Sequence, residues 1–183
     1  MNSSAPFTLR PAELRDVAPI VQLIRELAEF EKLSHLLQVT PEKLRPHLFG
    51  EKPVVEALVA EVPAEAVAPG ESTVVGFALF FTNFSTFLAQ PGLYLEDLYV
   101  KPSQRGSGIG EALLTRLGKL AVDRGYGRFE WSVLDWNETA IRFYEKMGAT
   151  VLPDWRVCRV TGDALQAIAQ GRAGADLGAS GAQ

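Results

Sequence analysis

Between residues 93 and 111 the chain reads LYLEDLYVKPSQRGSGIGE, and three kinds of chemistry are written into it. Gly106, Gly108 and Gly110 alternate along a turn, where glycine lets the backbone take φ > 0 and lets a ligand approach with no Cβ in the way. A helix beginning there would present unpaired N–H groups at the positive end of its dipole, an anion site most often used for phosphate. Upstream, Glu96 and Asp97 stand in the middle of an otherwise apolar, β-prone run, where carboxylates are disfavoured. Neighbouring strand residues point to opposite faces, so the two serve one site only if a bulge re-aims one of them. A Walker loop is excluded, because no Lys-Ser or Lys-Thr follows the glycines; a Rossmann turn fails because Glu111 stands where its third glycine belongs.

The elements that must hold this stretch follow from periodicity. Residues 93–100 read as a strand. Residues 108–123 read as an amphipathic helix on Ile109, Leu113, Leu117, Leu120 and Ala121, with Gly125 as its stop. Before them come a strand at 7–10 closed by Pro11 and a helix to about residue 30 with Asp16 as N-cap. A second helix opens at Thr40-Pro41, and Pro46 is expected to shorten or kink it. Strands at 54–61 and 73–82 form a hairpin with a long loop, and residues 83–92 read as a connection whose Phe84 and Phe87 either cap the core or line a pocket. After the glycine helix come a strand at 128–134, a helix from Asn137 to Met147 stopped by Gly148, strands at 149–152 and 155–160, and a short helix at 163–170. This order implies a mixed central sheet covered by helices, an α/β (α+β) architecture. Residues 1–6 read as a flexible leader, 7–170 as one domain and 171–183 as a disordered Gly/Ala-rich tail.

Composition narrows the partners. A net charge of −4 argues against nucleic acid, which wants a basic face. One cysteine, Cys158, excludes a disulfide framework and a cysteine metal cluster, and a late-strand position is expected to bury it. His35 and His47 have no partner pattern and read as surface residues, so no metal is expected. With no apolar run near 18 residues and no signal segment, the expectation is no membrane and a cytoplasmic location.

Two segments then carry a resemblance. Arg105-x-x-Gly108-x-Gly110, five residues after Val100, and Asn137-Glu138-Thr139-Ala140-Ile141-Arg142-Phe143-Tyr144-Glu145-Lys146-Met147-Gly148-Ala149 together resemble the GNAT N-acetyltransferase superfamily. The segments around Glu29-Phe30-Glu31, Leu93-Tyr94-Leu95-Glu96-Asp97 and Trp136-Asn137-Glu138 narrow it to the diamine (spermidine/spermine N1-) acetyltransferase family and its thialysine-acetylating relatives, over roughly residues 7–165. The resemblance implies a sheet that splits in a V between the 93–100 and 128–134 strands, acetyl-CoA as co-substrate, and a homodimer.

It also implies roles. Tyr144 is the general acid that protonates the departing thiolate. Glu96, beside a bulge, takes the amine proton through water, and the Leu98 N–H polarises the thioester carbonyl. Leu98, Tyr99 and Val100 offer backbone to the pantetheine arm; Gly106, Ser107, Gly108, Ile109, Gly110 and Glu111 form the pyrophosphate turn. Arg105 either pairs with phosphate or is a solvated turn cation. Asn137 either bonds the pantetheine or caps its helix, and Ala140 and Tyr144 complete the cofactor side. On the amine side stand Phe30 and Glu31, where the family usually has Tyr-Glu; Glu31 is either a carboxylate for a distal ammonium or an exposed helical residue. Glu96 is joined there by Asp97, which is either a substrate ligand or a structural acceptor, by Glu130, Trp131 and Ser132, and by Asp154, the nearest acid where the family has a glutamate before the last-strand tryptophan. The activity so implied is acetyl transfer to a primary amine of a polyamine-like or diamine-like substrate. Thialysine, another amino acid or a protein amine are the alternatives, and a non-catalytic acetyl-CoA-binding regulator is the reading from a different class.

Overall fold

The computed structural model describes residues 6–172. The expected leader, apart from Pro6, and the expected tail beyond Arg172 lie outside them. The chain forms two compact units, one ending at Asn137 and the other beginning at Glu138.

The first unit is built on strands β1 (Thr8–Pro11), β2 (Glu56–Glu61), β3 (Val74–Ser85), β4 (Gln90–Val100) and β5 (Arg128–Trp131), with helices α1 (Val17–Phe30), α2 (Pro41–Phe49) and α3 (Ile109–Asp123). The described strands form one sheet in the order β1-β2-β3-β4-β5, antiparallel except for the parallel β4–β5 pair. The expected mixed sheet with flanking helices is therefore present. Strand β3 shows why its sequence reads as an unbroken apolar run: Val74 to Phe80 are all buried, because helices cover both faces. On one face Val59, Phe77, Leu79 and Tyr99 pack with Ile20, Val21 and Leu23 of α1 and Leu44 and Leu48 of α2. The alternating residues Leu58, Ala78 and Phe80 point the other way. α3 packs on β2, β3, β4 and β5, with Ile109, Leu113, Leu117 and Ala121 buried.

Three local expectations are corrected. Asp16 stands at the N-cap position of α1 but its side chain makes no hydrogen bond into that helix. Its carboxylate is taken by Arg10 at 2.6 and 2.9 Å and by the Glu13 N–H at 2.7 Å, and Arg10 also binds Glu61 of β2 at 2.8 Å. Burial pushes the Asp16 carboxyl up, but the hydrogen bonds from Arg10 and Glu13 and the charge of Arg10 outweigh it and hold it below its ordinary range. In α2, Thr40 caps as expected, its hydroxyl accepting from Lys43 N–H. Yet the helix runs through Pro46 to Phe49, because burying Leu44 and Leu48 offsets one lost backbone bond. Residues 83–92 are not a connection. β3 and β4 pair as far as Ser85↔Gln90, leaving only residues 86–89 as the turn. Thr82, at the end of the expected strand, shares a hydrogen bond of 2.8 Å with the Tyr126 hydroxyl, and Asn83, in the expected connection, donates from Nδ2 to Glu130 at 3.0 Å across the sheet. Phe84 and Phe87 are 59% and 94% exposed, so neither caps the core.

The second unit contains α4 (Glu138–Lys146) and α5 (Gly162–Ala169). α4 ends as the sequence suggests. Gly148 takes φ 93°, its N–H donates to Glu145 O, and the Ala149 N–H donates to Tyr144 O. The expected strands at 149–152 and 155–160 do not form. A strand is stable only in a ladder, and residues 151–160 join none; Val151, Leu152, Trp155, Val157, Val160 and Cys158 are exposed, so the expected burial of Cys158 is also overturned.

Candidate active site

The site begins with one extra residue in β4. Leu79 faces Asp97 and Phe80 faces Leu95, so Glu96 has no partner on β3 and forms a bulge. Leu95 and Asp97, two apart, therefore point to opposite faces. Asp97 falls on the α1 side with Tyr99, while Glu96 is exposed. The parallel pairing with β5 runs from Gly92↔Arg128 to Leu95↔Trp131 and stops at the same place. From Glu96 onward β4 is paired with β3 alone, and the sheet opens. The Lys101 N–H donates to Val75 O at 2.9 Å, which fixes the phase of the ladder. Tyr99 and Lys101 turn their backbone groups toward β3, and the N–H groups of Leu98 and Val100 point into the opening.

Three carboxylates gather on the α1 side of this opening. Burial, and then the charges of Glu96 and Glu31, push the half-buried Asp97 carboxyl up to about 7. Burial also raises Glu31, the residue that follows α1. Phe30 is 41% exposed, with its ring 5.9 Å from that of Trp136.

On the other side lies the glycine turn. Gly106 and Gly108 take φ 78° and 88°, conformations that a side chain would strain. Gly108 is the N-cap of α3, and no side chain bonds the first N–H groups there. Those groups are satisfied by water or by a ligand, and together with the dipole they favour an anion. Ser107 is engaged elsewhere, its hydroxyl donating to Gln104 O at 2.6 Å, and Glu111 is exposed in the first turn of α3. Arg105 is exposed, with contacts to three neighbours in the protein. Its Nε donates to Val100 O at 3.1 Å, and its guanidinium lies 5.2 Å from the ring centre of Phe30 and 5.6 Å from that of Tyr99.

The remaining candidates divide. Glu130 is tied on β5 by Arg128 Nε at 2.8 Å and by Asn83 Nδ2, the Ser132 hydroxyl shares a hydrogen bond of 2.9 Å with Tyr94, and Trp131 packs on Phe129 at 4.8 Å. Asn137 closes the first unit with its N–H on Leu134 O at 2.9 Å. In the second unit Ala140 and Tyr144 lie one helical turn apart on α4, with the Tyr144 ring 5.3 Å from that of Phe143; Asp154 is exposed in a turn. Sequence reasoning passed over the side chain of Tyr99 and passed over Glu26. Burial, and then the Glu26 carboxylate, push the Tyr99 phenol up, with Arg105 opposing. The available signal was the four-residue spacing that puts Glu26 and Phe30 on one face of α1.

A split sheet with a bulge on one side of the opening and an uncapped glycine-turn helix on the other is the frame of an acetyltransferase. The sequence profile of the Acetyltransferase (GNAT) family matches residues 26–149, and the chain belongs to that family, whose members use acetyl-CoA as co-substrate. It is 41% identical over 171 residues to a thialysine N-epsilon-acetyltransferase of Mus musculus, covering 90% of this chain and 98% of that protein. It is 38% identical over 197 residues to an L-ornithine N5-acetyltransferase of Arabidopsis thaliana, covering 87% of this chain and 86% of that one. Among solved structures, an integron cassette protein from the mobile metagenome of V. cholerae shares the fold at a TM-score of 0.71 and 24% identity, covering 90% of this chain and 98% of that one.

Proposed function

We propose that the protein transfers the acetyl group of acetyl-CoA to the terminal primary amine of a small substrate that carries a second ammonium a few carbons away. The observation that carries this reading is the group of three carboxylates, Glu31, Glu96 and Asp97, at the point where β4 leaves β5. Such a group favours a dication over a monoamine. The names of the relatives agree with it: thialysine and ornithine each hold a terminal amine and a second one along the chain. Polyamines share that feature.

The amine reaches the site as an ammonium, with a pKa of roughly 10. It loses a proton to water held by Glu96, and the nitrogen lone pair attacks the thioester carbonyl. The carbonyl oxygen gathers negative charge opposite the Leu98 N–H. The nitrogen, cationic after attack, gives up its second proton to the same Glu96-held water. As the C–S bond breaks, the thiolate takes the Tyr144 hydroxyl proton, which solvent then restores, so that neutral amide and CoA thiol leave. The turn from Gly106 to Glu111 holds the pyrophosphate on backbone N–H groups, and the Val100 N–H pairs with the pantetheine arm. Holding both substrates together supplies much of the acceleration by positioning.

An amine panel of thialysine, ornithine, spermidine and a simple monoamine, read by CoA release, tests the reading. Diamine-type substrates are expected to exceed the monoamine in kcat/KM by about tenfold or more, consistent with one well-placed charge contact. Release with no amine, despite binding of acetyl-CoA, would sink it. Tyr144→Phe is expected to lower kcat by about 10²-fold with acetyl-CoA affinity retained; an unchanged kcat removes the general acid.

A further inference from the structure

Along the turn that leads from β4 into α3, every third residue is drawn into the protein. Lys101, Gln104 and Ser107 are half-buried, while Pro102, Ser103, Arg105 and Gly106 between them are exposed. The spacing follows from the 3-10 turn Pro102–Gln104, in which side chains three apart lie one above another. All three inward residues are engaged. The Ser107 hydroxyl donates to Gln104 O at 2.6 Å, the Gln104 Nε2 donates to Ala66 O at 3.4 Å, and Lys101 Nζ lies 4.0 Å from Glu71. Ala66 and Glu71 both belong to the loop 62–73 that joins β2 to β3.

That loop is a firm anchor. The Val62 N–H donates to Thr73 O at 2.9 Å across its base, and the Ala66 N–H donates to Pro63 O at 2.9 Å within a 3-10 turn of its own. Strand β3 supports the same turn from below. The Lys101 N–H is held by Val75 O, and at Gly76 a Cβ would stand 3.3 Å from Val100 Cγ2 and 3.4 Å from Ile109 Cγ2, so the bare backbone lets the first residue of α3 sit close. A cradle of backbone N–H groups cannot adjust by changing rotamer; its fit to an anion is set by whatever fixes the backbone. We propose that Gln104 is a positioning residue for the cofactor: with Ser107 it forms a relay from the glycine turn to the β2–β3 loop. The relay sets the N–H groups of Gly106 to Gly110 and leaves the exposed side of the turn, Arg105 included, to the phosphates. The inference rests on the reading above, in which this turn holds the pyrophosphate; the relay itself does not.

Three variants test it. Gln104→Leu removes the donor at nearly constant volume, Ser107→Ala removes the hydroxyl, and Ser107→Thr keeps it. The first two are each expected to weaken acetyl-CoA binding about fivefold, the scale of one hydrogen bond, and to leave the amine KM within about twofold; Ser107→Thr should stay within about twofold of wild type throughout. The Gln104→Leu/Ser107→Ala double variant should be no worse than its worse parent within about twofold, since both cut one relay. S-Acetylpantetheine, a thioester without the pyrophosphate, should bind Gln104→Leu as it binds wild type. In the ligand-free protein, amide exchange at Ala66 and Arg105, whose N–H groups close the two 3-10 turns, should quicken about fivefold in Gln104→Leu. Equal loss of S-acetylpantetheine binding would overturn the proposal, because it marks a general loosening. Weaker acetyl-CoA binding with unchanged exchange would overturn it as well, being the pattern of a side chain that touches the phosphates itself. So would wild-type acetyl-CoA affinity in Gln104→Leu, a Ser107→Thr variant as weak as Ser107→Ala, or multiplying effects in the double variant. If the wild-type protein binds S-acetylpantetheine as tightly as acetyl-CoA, the pyrophosphate reading fails, and the exchange at Ala66 still decides the relay.

Discussion

Asp97 sits opposite Leu79, where burial, and then two other carboxylates, raise its affinity for a proton. Its folded value of about 7, against an ordinary 3.8, has consequences of two signs. For stability, the folded state binds this proton more tightly than the unfolded chain. The contribution is therefore complete below about pH 4 and is lost as pH rises toward 7. Asp97→Asn should remove that slope and leave the free protein more stable than wild type at pH 8, as read by thermal melts across pH. For turnover the sign is opposite, because an ionised Asp97 attracts a substrate cation. kcat/KM should rise with pH through about 7, and Asp97→Asn should abolish that limb; a limb that persists would move the titration to another group. Little of this was legible in the sequence. Glu96-Asp97 announced itself as a misplaced acidic pair, but the burial and the third charge come from α1, more than sixty residues earlier.

At the scale of elements, sequence and structure agree where local geometry decides and part where a distant partner does. The glycine turn and α3 follow from positive φ at Gly106 and Gly108 and from helical spacing through Ile109, Leu113 and Leu117. Asp16 looked like a cap because the competing claim of Arg10, six residues earlier, depends on β1 pairing with β2, where Glu61 holds the same guanidinium. Asn83 and Gly92 looked like loop residues because Glu130, which accepts from the Asn83 amide, arrives with β5. The end of α1 offers a measurement at this scale. Lys32 occupies a left-handed helix-ending position that glycine fills at less cost, so Lys32→Gly is expected to stabilise the protein by about 1 kcal/mol in denaturant melts. A loss of stability would mean that the Lys32 side chain makes compensating contacts.

Across the whole molecule, the sheet does most of the positioning. Helices on both faces demand the unbroken apolar run of β3, and that run made the architecture readable. The segment 149–160 was misread for the complementary reason: β-prone composition describes a strand only when a ladder is there to receive it. Long-range ties such as Arg124 to Glu56, two contacts of 2.6 Å between the end of α3 and β2, lie equally beyond a local reading.

The bulge at Glu96 also sets how the gene can be edited. Within a strand, losing one codon normally inverts every side chain on one side of the lesion, and the fold fails. Codon 96 is the exception, because the ladder already counts as though it were missing: Leu95 and Asp97 face Phe80 and Leu79, which are themselves adjacent. Deleting Glu96 should therefore give a folded protein, melting within about 5 °C of wild type, with a regular β4 and no measurable transfer. Deleting Leu95 instead, a buried residue, should yield insoluble protein. Expressing the two one-codon deletions side by side separates the residue that builds the sheet from the one that interrupts it.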